Sequence, residues 1–389
     1  MKVTSECIKS NYDKSNAVEH YLSKDRRDGV KVEWEEPFSC SVFKKAIRLS
    51  HKIKKDKLKV LDIGSGTGDG YELLKKLFKE YKEISNYQLE YLGIDISPQM
   101  VKAANDLYAK ENHVRFKCED IRHSNITDFF DVYLSCGVPY SHLTNDELYQ
   151  AIKTIVTNVR KYNSRCAVVV DVLGRYSIEW TPKWNETRWD YSMSFFESEG
   201  HAEPTWMSFY SHDDLQNIMQ KAADAVGCPV ERFQFFDRSI MVGRHTSTGQ
   251  FNPKLPNYRN LINSLMEPGE ETELNKLIFQ VELTTAPKHI LEFFEKFSGW
   301  WNLLVSQAGA ILGESIEVEL VDLPQEVQGF KAELDKEFQQ ISGKDARRQK
   351  VELMLAQVLQ KLEATQQPGY GVGHDLFGVM WLDARGLDS

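Results

Sequence analysis

No stretch of this chain approaches the ~18 consecutive apolar residues that cross a bilayer, so no membrane-spanning helix is expected. The first residues, MKVTSECIKSNYDK, lack the apolar segment of a secretory signal. Cysteine is sparse. Cys7, Cys40, Cys118, Cys136, Cys166 and Cys228 form neither a C-x-x-C pair nor a cluster with histidine. That pattern points to free thiols in a reducing, cytoplasmic setting and to no metal site. Positive charge is also in deficit, with 48 Lys and Arg against 57 Asp and Glu and a net charge of −9. Nucleic-acid binding draws most of its affinity from a basic face, so a nucleic-acid partner is not expected. Repeats and low-complexity segments are missing. What remains is an ordinary globular balance, 41% hydrophobic and 27% charged. At 389 residues the chain can build one large core with an appendage, or two domains.

One stretch organises the rest. Residues 58–70 read LKVLDIGSGTGDG. An apolar run (Leu58, Val60, Leu61, Ile63) stops at Gly64, and Gly64, Gly66, Gly68 and Gly70 then alternate with small or polar residues. A helical pattern follows at once through Tyr71, Leu73, Leu74, Leu77, Phe78 and Tyr81. Strand, glycine turn and helix N-terminus open a nucleotide-type α/β unit. The dinucleotide fingerprint G-x-G-x-x-G fails, because its third position falls on Asp69 or Tyr71. A carboxylate at that helix start would also repel a pyrophosphate. No Gly-Lys-Ser/Thr follows, which removes a P-loop.

The observed D-x-G-x-G-x-G, with Asp62 two residues before the first glycine, resembles motif I of the class I S-adenosylmethionine-dependent methyltransferases. Residues 93–101, GIDISPQMV, resemble that family's second motif, with Asp95 ending a strand near 89–94 and Ser97-Pro98 opening a helix. The resemblance covers about residues 58–244. It implies a Rossmann-like seven-stranded mixed sheet with helices on both faces, and S-adenosylmethionine as cofactor at the carboxyl edge. It further implies that Asp95 accepts both ribose hydroxyls, that Asp120 and Ile121 meet the adenine, and that Asp62, Gly64, Gly66, Gly68, Ile96 and Cys136 complete the cofactor site. The final two strands resemble the family's antiparallel hairpin and are expected near 233–236 and 240–244.

The acceptor side is less sharply written. After a fourth strand near 130–135 comes Cys136-Gly137-Val138-Pro139-Tyr140-Ser141-His142. Family members acting on planar amide or base nitrogens often carry Asn/Asp-Pro-Pro-Tyr at this place. That Asn/Asp is missing here, so this acceptor class loses support. Tyr140 and His142, with Asp171 at the end of a valine-rich fifth strand near 167–172, are the catalytic candidates by position; no general base is singled out. Residues 177–209 carry Trp180, Trp184, Trp189 and other aromatics, where the family inserts a substrate lid. They are expected to form a wall of the acceptor site, the alternative being a subsidiary core. Tyr12 and Tyr21, in a helical N-terminal cap over residues 1–57, are further substrate-side candidates. Residues 245–259 read as a linker. Residues 260–389 read as a mainly helical C-terminal region, with a possible strand near 277–283 and apolar stripes that suit a core, a homodimer seam or a partner protein. The expected activity is methyl transfer to an acceptor, a small metabolite in preference to a partner-protein side chain, with a non-catalytic cofactor-binding scaffold as the other alternative.

Overall fold

The computed structural model describes residues 15–23, 26–50, 56–191, 205–243, 251–280, 283 and 285–386. Tyr12, residues 192–204 of the aromatic stretch and the start of the 245–259 connector lie outside them.

The described N-terminal residues include α1 (Ser15–Leu22) and α2 (Glu36–Ser50), the latter entered through a π-helical turn over Lys31–Glu35. The α/β alternation then runs β1 (Lys57–Ile63), α3 (Asp69–Glu80), β2 (Gln88–Asp95), α4 (Pro98–Leu107), β3 (Val114–Cys118), β4 (Val132–Leu134), α5 (Asn145–Lys161) and β5 (Arg165–Gly174). Short strands β6 (Arg188–Asp190) and β7 (Trp206–Tyr210) pair antiparallel, and β7 pairs with the last two residues of β5. Next come α6 (His212–Val226) and β8 (Val230–Arg238). The remaining helices are α7 (Tyr258–Met266), α8 (Lys288–Leu312), α9 (Phe330–Gln340) and α10 (Lys344–Thr365), and the chain returns through β9 (Asp375–Asp383).

Local chemistry marks several of these boundaries. Ser97 accepts the Met100 amide ahead of Pro98 at the start of α4. Thr144 with Glu147, and Ser211 with Asp214, form capping boxes at α5 and α6. All ten residues of β5 are buried, as expected for a strand covered on both faces.

The main sheet runs β3-β2-β1-β4-β5-β9-β8, with β1 to β5 parallel and β9 antiparallel to both its neighbours. One face packs Leu61, Ile63, Tyr133 and Val170 against α5 and α6. The other packs Val60, Leu134 and Val169 against α2, α3 and α4. The mixed sheet is as the sequence implied, but the β6–β7 pair on β5 brings it to nine strands rather than seven, and its last strand is not the one expected. Residues 240–243 form no strand, and Glu363 of α10 accepts the Met241 amide there. The antiparallel partner of β8 is instead β9, near the end of the described chain. The helices between β8 and β9 are thus inserted into the final hairpin.

The strand expected near 277–283 is a short 3-10 turn over Leu274–Leu277 followed by irregular chain at 278–280. Asn302 supplies what a neighbouring strand would have supplied: it accepts the Phe279 amide at 2.8 Å and donates to the Phe279 carbonyl at 2.9 Å. The three tryptophans expected at the acceptor site are also core residues. Trp180, Trp184 and Trp189 are 1%, 2% and 4% exposed, in a core that includes Phe294, Phe297 and Trp301 of the inserted helices. The Trp180 indole donates to the Gly174 carbonyl, the Trp184 indole donates to the Ser177 carbonyl, and Trp189 stacks on Phe209 at 4.2 Å. With each ring covered, the described part of this stretch packs the inserted helices against the sheet.

Removal of residues 375–389 should abolish the cooperative fold, because β9 lies between two strands and its absence would expose β5 and β8 together. A circular-dichroism melt checks this. A cooperative transition in the shortened chain would contradict the topology.

Candidate functional site

At the carboxyl ends of the parallel strands lies an open cleft of about 1000 Å³, mouth included. Its floor is the turn between β1 and α3. The Gly64 and Ser65 amides donate to the Ile94 carbonyl at 2.9 and 3.0 Å, which ties the turn to the end of β2. Gly66 has φ of +51°, and a Cβ placed on it would meet no protein atom within 4 Å. Because Gly66 lines the cleft, a side chain would fill the cradle itself. At Gly64 the constraint is different: a Cβ there would come within 2.3 Å of Pro139 on the opposite wall.

Asp95 joins the two motifs. Its Oδ2 accepts the Gly66 amide at 2.9 Å and its Oδ1 accepts the Ser97 amide at 2.9 Å. Both carboxylate oxygens are thus held at the edge of the cleft, and a carboxylate is the acceptor chemistry that a vicinal diol needs. Ile96, Met100 and Ile121 add an apolar side to the lining. Asp120 is also at the cleft, gripped by Arg122 through Nε at 2.9 Å and Nη2 at 2.6 Å. Burial works against the Asp120 charge, but the Arg122 hydrogen bonds and charge prevail and hold its carboxyl below the usual value. Asp62 does not line the cleft. It lies beneath the turn, 1% exposed, and accepts the Tyr91 hydroxyl at 2.5 Å. Burial pushes its carboxyl up to about 7. Gly68 likewise starts α3 without lining the cleft.

The opposite wall is the turn after β4. Cys136, Gly137, Pro139, Tyr140, His142 and Leu143 line it, and burial pushes the Cys136 thiol up to about 12. Burial, then the nearby Arg188 charge, lowers His142 to about 4, so this ring is neutral at pH 7. Arg188 donates from Nη1 to the Leu143 carbonyl at 3.0 Å and from Nη2 to the His142 carbonyl at 3.3 Å. The β6–β7 hairpin therefore braces this wall from behind. Asp171, expected at the site, is fully buried behind the turn and does not reach the cleft. Of the N-terminal candidates, Tyr21 lines the cleft, and the Arg26 guanidinium lies 4.7 Å over its ring while pairing with Asp69.

The structure thus brings together Gly64, Gly66, Asp95, Ile96, Asp120, Ile121, Cys136, Tyr140, His142 and Tyr21. The three tryptophans stay outside. Sequence reasoning missed Ser65, Thr67, Met100, Glu119, Arg122 and Leu143 as lining residues. Most of these sit one or two places from a recognised motif residue, and that adjacency was the available signal. Among the described residues no group of three His, Cys, Asp or Glu could hold a metal ion, and no helix is long and apolar enough to cross a membrane.

Because the folded value of His142 lies below its ordinary 6.5, the neutral ring contributes stability above that pH. This contribution is lost as pH falls from about 6.5 toward 4, where the unfolded chain alone takes up the proton. The His142 ring resonances should accordingly stay flat by proton NMR from pH 8 to pH 5. A midpoint near 6.5 would contradict its burial.

Comparison with known proteins bears on the same segment. Residues 60–161 match the family model of a methyltransferase domain. No curated protein matches the chain. Among solved structures, an S-adenosylmethionine-dependent methyltransferase from Clostridium acetobutylicum is 15% identical, over 59% of this chain and 89% of its own, with a TM-score of 0.35. An amino pentose methyltransferase from Micromonospora echinaspora, solved with S-adenosylmethionine bound, is 14% identical over 51% and 84%, with a TM-score of 0.34. A coclaurine N-methyltransferase bound to N-methylheliamine is 10% identical over 89% and 72%, with a TM-score of 0.35. These structural likenesses are weak and carry no acceptor to this chain. The matched segment, the D-x-G-x-G-x-G turn and the sheet order thus mark residues 60–161 as similar to a methyltransferase domain and support an enzyme of methyl transfer with S-adenosylmethionine as cofactor.

Proposed function

We propose that the chain methylates a small-molecule acceptor bound at the Tyr140–His142 end of the cleft. The observation that carries this is continuity: one cleft is lined both by the glycine turn with Asp95 and by Tyr140, His142 and Leu143. The cofactor's residues fit as well. Gly66 leaves a backbone cradle, Asp95 offers two carboxylate oxygens to the ribose, and Ile121 beside Asp120 offers an apolar face with an acceptor to the adenine.

Bound S-adenosylmethionine supplies a methyl group already activated on a sulfonium. The protein's part is to orient the acceptor, exclude water and receive a proton. Tyr140 and His142 are both buried at this wall, so an acceptor atom reaching them leaves bulk water. The His142 ring, lowered to about 4, stays neutral and serves the acceptor as a polar neighbour in the cleft rather than as the group that keeps the released proton. The end formed by Pro139, Tyr140 and Leu143 favours a compact, partly apolar acceptor.

Two measurements test this reading. In Asp95→Ala, affinity for S-adenosylhomocysteine by calorimetry should fall by about 1–3 kcal/mol with the fold retained. Unchanged affinity would remove Asp95 from the cofactor site. Labelled methyl transfer from S-adenosylmethionine into a lysate of the source cell, followed by size separation, should place label in the small-molecule fraction and lose it in His142→Ala. Label confined to protein would overturn the small-acceptor reading.

A further inference from the structure

Asp171 has no access to the cleft, yet it holds the piece of chain that forms one wall. Its Oδ2 accepts the Gly137 amide at 2.8 Å and the Val138 amide at 3.3 Å. Both residues are left-handed, with φ of +82° at Gly137 and +58° at Val138. For a β-branched residue that conformation is a genuine outlier, and it persists only where the surroundings impose it. The imposed turn matters because Cys136, Gly137, Pro139 and Tyr140 line the cleft, and Pro139 sits directly against Gly64. A relaxed Val138 would move Pro139 relative to the glycine turn.

The groups facing Asp171 come from several elements. Ser135, just after β4, accepts the Asp171 amide at 2.9 Å. Arg238, the last residue of β8, and Asp375, the first of β9, are both buried beside it. Arg238 donates from Nε to Asp375 at 2.7 Å and from Nη1 to Ser39 of α2 at 2.5 Å. Burial and then the Asp375 charge push the Asp171 carboxyl up, while Arg238 and the two turn amides oppose them. Arg238 and Asp375 are also where the chain leaves the sheet for the inserted helices and where it returns. Next to them, Asp237 accepts the amides of Tyr370, Gly371 and Val372 at 2.8 to 2.9 Å, fixing the returning segment.

We propose that Asp171 is a positioning residue that holds the Gly137–Val138 turn against the glycine turn, and that through the neighbouring Arg238–Asp375 pair it couples the seating of the inserted helices to the shape of the cofactor cleft. The role rests on the cofactor site proposed above and is read through cofactor binding, so the size class of the acceptor leaves it untouched.

The test is a double-mutant cycle in the full chain, read as S-adenosylhomocysteine affinity by calorimetry. Wild-type binding is the first arm, and its absence would count against the cofactor site itself. Asp171→Asn should weaken binding roughly tenfold, and hydrogen exchange over residues 136–140 should speed up. Glycine adopts the left-handed conformation without strain. Asp171→Asn should therefore cost markedly less in a Val138→Gly background, because the turn no longer needs to be held. Equal losses in both backgrounds would overturn the positioning role. If Asp171→Asn is too unstable to titrate, the same cycle is read in melting temperatures, where Val138→Gly must be less damaging beside Asp171→Asn than alone. Arg238→Lys tests the coupling, since it loosens the Arg238–Asp375 seat without touching the cleft. Faster exchange over 136–140 is expected, and unchanged exchange there would refute transmission from the insertion.

Discussion

The pairing of β9 between β5 and β8 is the contact on which the rest of the structure depends. It runs nine residues along β5, from Arg165 opposite Asp383 to Leu173 opposite Asp375, and eight of the nine β9 residues are buried. A strand so placed cannot be left unpaired without exposing backbone polar groups on both sides. Everything between β8 and β9 must therefore fold so that its two ends meet. The Arg238–Asp375 ion pair lies at that meeting point, 137 residues apart in sequence and out of water. Buried ion pairs add little net stability but are costly to break, so this one fixes register more than it strengthens the fold.

The aromatic stretch follows from the same requirement. Inserted helices whose inner faces carry Phe294, Phe297 and Trp301 need an apolar surface to lie on, and Trp180, Trp184 and Trp189 provide it. Trp184 stacks on Phe294 across the junction at 6.0 Å. The β6–β7 pair of this stretch still serves the cleft, but from outside, through Arg188 on the carbonyls of His142 and Leu143. Residues that brace this wall are thus distinct from residues that line it.

How much of this was legible in the sequence follows from the range of each signal. The glycine turn, the strand ending in Asp95 and the helix opened by Ser97-Pro98 are written within a few residues of themselves, through spacing, periodicity and capping. They stand where the sequence put them. The partner of β8 was not legible, because pairing is a long-range relation. Residues 240–244 offered a short apolar run at the expected distance, while the true strand, LFGVMWL over 376–382, lay beyond the helices. The tryptophans show a second kind of limit. A wall of a binding site and a buried core use the same side chains, and only the element lying opposite decides between them. Asp171 shows a third: its position near the end of β5 made it a catalytic candidate, but its carboxylate turns to the Gly137–Val138 amides and does not reach the cleft.

The central claim is that the carboxyl edge of this sheet, closed by a strand from far along the chain, holds S-adenosylmethionine between the glycine turn and the wall after β4. A crystal structure of the full chain with S-adenosylhomocysteine tests it most directly. The account predicts the ribose hydroxyls at Asp95, the adenine against Ile121, and the sulfur facing the Tyr140–His142 end, with β9 seated between β5 and β8. Ligand bound elsewhere, or the same site with β8 paired to a strand other than 375–383, would contradict it.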